Sequence, residues 1–268
     1  MDDFDLIQKA AMTFISQFTS DIYNLSLSEN LSINNIQLSC SALKWILESR
    51  NAIDIPDSQL DDAIDKTAIL LASVYRDKES LPIIAELAFE RHRKNCFNHD
   101  LVWAFFEAQH INSIYLIANR LQSSEPMDVA FARKLLNFVP GINELQFSNN
   151  QQLYSYFNNW FEENSSFLRY TGESYSLKSD PTFYEVVLGA KYLCKPVATD
   201  TGQILQRLNT NDKILIEEFN KLNKYAQSLL ACYSYEMHYK DKNWWNIWLS
   251  YPLPFQFMYA NAWIGGIQ

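Results

Sequence analysis

The densest acidic cluster in the chain is QLDDAID, residues 59–65. Asp61 and Asp65 stand four apart, which on an α-helix puts both carboxylates on one face, the spacing that lets two oxygen ligands bridge a hard divalent cation. A second stretch with chemical spacing is Glu107-Ala108-Gln109-His110. Glu and His three apart supply two ligands of a di-iron centre when the pattern occurs twice and two further carboxylates join it. The other histidines do not repeat it. His238 has Tyr235 in the place of the Glu, His92 has Phe89, and His99 has Cys96.

The Asp61-Asp62-x-x-Asp65 spacing resembles the aspartate-rich motif of isoprenoid synthases, a helical class with aromatic-lined cavities. The resemblance implies magnesium, a diphosphate substrate, and a metal-dependent helical enzyme using Asp61, Asp62 and Asp65. It covers one short motif, and no second segment pairs Asn or Asp, Ser or Thr, and Glu at four-residue steps. The motif also directly follows Pro56-Asp57-Ser58, a helix start. Carboxylates in a first turn stabilise the helix dipole by about 0.3–1 kcal/mol each without any metal. Leu60, Ile64, Ala68 and Leu71 form the apolar stripe of that helix, so the aspartates are expected to face solvent. The reading adopted is that Asp57, Asp61, Asp62 and Asp65 are contacts for a partner, with no metal, no cofactor and no catalytic residue assigned.

Other chemistries lack their signatures. Gly265 and Gly266 are the only glycines within ten residues of each other, so no glycine-rich phosphate loop exists. No Gly-x-Ser-x-Gly elbow is present. Cys40, Cys96, Cys194 and Cys232 lie far apart without a CxxC pair, and buried, reduced thiols are expected.

The charge balance narrows the partners. The net charge is −9, and residues 1–75 carry eleven acids against four bases, a net −7. Nucleic-acid binding needs a positive field, so no nucleic-acid partner is expected. The one basic run, Arg91-His92-Arg93-Lys94, is expected in the last turn of a helix, facing the negative end of its dipole. An acidic start, MDDFDLIQKA, is unlike a signal peptide, which gives a cytoplasmic reading.

These groups must be positioned by helices. Only six glycines occur in 268 residues, and apolar positions recur with helical period nearly throughout. The periodicity predicts helices at about 3–27, 34–50, 58–75, 80–94, 99–109, 111–122, 126–138, 150–168, 181–193, 202–208 and 211–239. Asp180-Pro181 is the clearest helix start by cap and first-turn proline. SYSLKS at 174–179 is a short strand candidate left as loop. Short connections force antiparallel neighbours, so the expected fold is all-α. Its antiparallel helical hairpins stack as an irregular bundle or α-solenoid-like array. One helical domain over 1–268 is expected, with lobes at 1–138 and 150–268.

The end of the chain poses its own question. No Asp, Glu, Lys, Arg or His follows Lys242, yet Trp244, Trp245, Trp248 and Trp263 lie there. Pro252 and Pro254 interrupt the segment, so it cannot make a regular membrane-spanning helix of about 20 apolar residues. Core packing within the chain is expected instead. The function this composition favours is a non-enzymatic acidic protein-binding module that captures a basic protein. An adaptor, or an inhibitor of the immunity-protein kind, are its concrete versions.

Overall fold

The computed structural model describes residues 3–19 and 36–265. The fold is an all-α bundle of thirteen α-helices, with one two-stranded sheet among the described residues. Two compact units form, Met1–Leu136 with Gly172–Pro181, and Asn137–Thr171 with Thr182–Gln268.

The first unit contains α1 (Asp3–Thr19), α2 (Ile36–Glu48), α3 (Asp57–Ile69), α4 (Leu81–Arg93), α5 (His99–Glu107), α6 (Ile114–Ala118) and α7 (Pro126–Leu135). The expected helices over 3–27 and 34–50 are thus present as α1 and α2, and residues 20–35 lie outside the described residues. α1 packs on α2 and α3, and α4 on α2, α5, α6 and α7. Pro126 opens α7 at its first turn, and Pro82 sits in the first turn of α4, where a missing N–H costs nothing. The stripe proposed for α3 is inside, with Ile64, Ala68 and Leu71 buried. α3 then widens into one π turn, Leu70–Val74, and ends where Arg76 takes a positive φ of 53°. Tyr175, from 174–179, stacks on His99 with ring centroids 4.6 Å apart. That stretch is a turn rather than a strand.

The second unit contains α8 (Asn150–Asn164), β1 (Leu168–Tyr170), β2 (Tyr184–Val186), α9 (Leu188–Tyr192), α10 (Thr210–Phe219), α11 (Lys224–Lys240), α12 (Lys242–Leu249) and α13 (Leu253–Gly265). Three expectations are corrected here. Residues 181–193 do not form one helix: β2 pairs antiparallel with β1 in the register Leu168↔Val186 and Tyr170↔Tyr184, and only α9 remains helical. The aromatic and β-branched run Phe183-Tyr184-Glu185-Val186-Val187 favours the strand once a partner strand exists, overriding the Asp-Pro signal.

Residues 202–208 are likewise not helical. Val197 bridges Ile204, and Gly202, at φ 71°, turns the chain. A Cβ on Gly202 would meet the Arg169 side chain at 2.4 Å, so the turn also needs the missing side chain. Finally, 211–239 is two helices. Asn223 caps α11 by accepting from the Ala226 N–H, and α10 opens with a capping box between Asn209 and Asp212.

The tryptophan-rich end is core. Trp248 is fully buried among Tyr192 and Tyr233, and its Nε1 donates to the Gln256 carbonyl. Trp245 Nε1 donates to Ser234 Oγ at 2.7 Å, and Ser234 Oγ donates to the Tyr192 carbonyl at 2.5 Å. Tyr192 Oη donates to Gln256 Oε1 at 2.7 Å, while Gln256 Nε2 donates to the Tyr251 carbonyl at 2.8 Å. The Trp245, Trp248, Tyr192 and Gln256 polar groups brought inside therefore have partners, the condition for burying indole and phenol groups at all. No helix among the described residues is long and apolar enough to cross a membrane.

Candidate functional site

The four candidate aspartates lie along the first three turns of α3, and the structure divides them. Asp57 occupies the first helical position after Pro56 and is exposed, where its charge faces the positive end of the helix dipole. Asp61 and Asp62 remain largely open to solvent, with side chains 58% and 47% exposed. Lys66, one turn on from Asp62, donates to its Oδ2 at 2.6 Å and to the Phe18 carbonyl at 2.7 Å.

Asp65 does not face solvent, contrary to the helical-wheel expectation. Its side chain is 13% exposed and accepts from Arg91 Nη1 at 2.6 Å. The wheel placed it opposite the stripe, but α5 packs on α3 and the Arg91 side chain reaches over from the last turn of α4 to Asp65. Burial pushes the Asp65 carboxyl up to about 6, outweighing the Arg91 guanidinium that pulls it down. Asp100 and Asp61 add to the upward push.

Arg91 is the residue that organises this end of the unit, and it is itself buried. Its Nη2 donates to Asp61 Oδ1 at 2.9 Å and to the Asp61 carbonyl at 3.1 Å, while Nη1 also reaches the Phe97 carbonyl at 3.4 Å. The cation between Asp61 and Asp65 is thus a guanidinium rather than a metal ion. No group of three or more His, Cys, Asp or Glu among the described residues could hold a metal ion.

The rest of the basic run is engaged in the same way. As expected, it lies in the last turn of α4. The His92 ring stacks on Phe131 at 3.9 Å, and its pKa is lowered, first by burial and then by Lys134. Arg93 donates to both carboxylate oxygens of the buried Asp128 at 3.0 Å, and to Glu86 at 3.1 Å. Arg120 reaches the same two acids and lies 5.2 Å from the Phe89 ring centroid. Lys94 pairs with Glu90 at 2.8 Å. These positive charges tie α3, α4 and α7 together, and Asp57, Asp61 and Asp62 are left on the outside.

The Glu107–His110 pair is not assembled. α5 ends at Glu107 and Gln109 takes a φ of 52°, so the two side chains do not share a helical face. His110 Nδ1 meets Ser113 Oγ at 2.6 Å instead. The cysteines are all free thiols, but Cys96 and Cys232 are exposed and Cys40 and Cys194 half-buried, so full burial is corrected. Burial raises the Cys194 thiol to about 11, which leaves it a poor nucleophile near neutral pH.

One buried cation escaped the sequence reading. Lys191 of α9 is 2% exposed; its Nζ donates to Asn164 Oδ1 at 2.7 Å, with Glu163 at 3.9 Å and the Tyr235 ring centroid at 5.1 Å. Asn164 is held in turn by donating from Nδ2 to the Trp160 carbonyl at 2.6 Å. A lysine inside the otherwise uncharged stretch Leu188–Cys194 was the available signal. Comparison of the chain with protein families, with curated proteins and with solved structures gives no match.

Proposed function

We propose that this protein is a non-enzymatic acidic binding module that captures a basic protein, acting as an inhibitor of the immunity-protein kind or as an adaptor. The observation that carries the reading is the placement of Asp57, Asp61 and Asp62. They project from the first two turns of α3 beside a guanidinium that the same helix already holds. Asp61 and its carbonyl bind Arg91 through the geometry that a partner's arginine would use: a charge-assisted carboxylate contact supported by a backbone oxygen. Asp57, Asp61 and Asp62 thus present negative charge at the exposed start of α3. Such a field speeds encounter with a basic patch more than it adds affinity.

The test is capture from native lysate on immobilised full-length protein, beside the Asp57→Asn/Asp62→Asn double variant. Wild type is expected to retain a basic protein that elutes as salt is raised, and the variant to lose most of it while staying folded, its stability lowered by no more than about 1.5 kcal/mol for the lost first-turn carboxylate and ion pair. Equal retention by both proteins, or a partner insensitive to salt, would remove α3 from the interface.

A further inference from the structure

We draw no further inference here: the strongest candidate, the outer face of the α12–α13 hairpin with Ile247, Phe255 and Met258 exposed, carries nothing because nothing in the structure shows what covers it.

Discussion

Replacing Asp65 by Asn tests whether this carboxylate is held charged at a cost. The Asp65 pKa rises from 3.8 to about 6 on folding, because burial outweighs the pull of Arg91. A folded-state pKa above the unfolded one contributes stability that is full below the unfolded value and is lost as pH rises through the folded value. The window therefore runs from about pH 4 to about pH 7, and a shift of about two units corresponds to about 3 kcal/mol at its upper end. Asn is isosteric with the protonated acid and its Oδ1 can still accept from Arg91 Nη1. At pH 4.5 the variant is expected to melt with wild type. At pH 7.5 it should be the more stable protein, by up to about 3 kcal/mol, the limit set by the linkage. Arg91 keeps Asp61 and two backbone carbonyls, so its charge is not stranded. Thermal or urea unfolding of both proteins between pH 4.5 and 8 reads the difference directly. An Asn variant that is less stable by a similar amount at every pH would refute the reasoning, since the ion pair would then outweigh the desolvation.

Two further substitutions probe the second unit. Trp248→Ala removes a fully buried ring that touches Tyr192 and Tyr233 and is expected to cost about 3–5 kcal/mol in urea unfolding. A loss below about 1 kcal/mol would mean the terminal hairpin is not part of the core. Asn164→Leu leaves the Lys191 ammonium without its 2.7 Å acceptor and should cost about 1.5–3 kcal/mol. Combining it with Lys191→Met should recover part of that loss, because an apolar pair needs no hydrogen bond; a double variant weaker than the sum of the singles would sink this account.

What could be read in the sequence was local. Pro126, Pro82 and the helical spacing of Ile64, Ala68 and Leu71 act within one helix, and all were legible from neighbours a turn away. What was misread depended on residues far along the chain. Asp180-Pro181 looked like a helix start because Leu168–Tyr170, the strand that captures Tyr184–Val186, could not be foreseen from residues 180–193. The tryptophan-rich end was legible as core because burial of so many uncharged aromatic residues follows from composition. The hydrogen-bonded chain from Trp245 through Ser234, Tyr192 and Gln256 was not, since its members span some sixty residues. Arg91 is the same case: its place in the last turn of α4 was evident, but its ties to residues 26 and 30 positions earlier were not.

That non-local pairing changes what the aspartates of α3 can do. In sequence the four are equivalent, and a partner could use any of them. In the fold, Asp65 lies inside the unit and an intermolecular contact through it would first require Arg91 to leave. Asp57 and Asp62 carry no such obligation, since Asp62 is tied only to the half-buried Lys66 one helical turn on, and i,i+4 pairs of that kind contribute only about 0.3–0.5 kcal/mol. Substitutions along one helix should therefore separate two properties. Asp65→Asn is expected to move stability with pH and leave association unchanged, whereas Asp57→Asn/Asp62→Asn should slow association and leave the pH dependence of unfolding as it was. Asp61 belongs to both sets, because its charge adds to the upward push on Asp65 while its own side chain remains exposed, and its Asn variant should shift both measurements. If Asp61→Asn moved only one of them, the guanidinium site and the docking face would not share a residue, and the geometry that Arg91 displays would no longer be a guide to the partner.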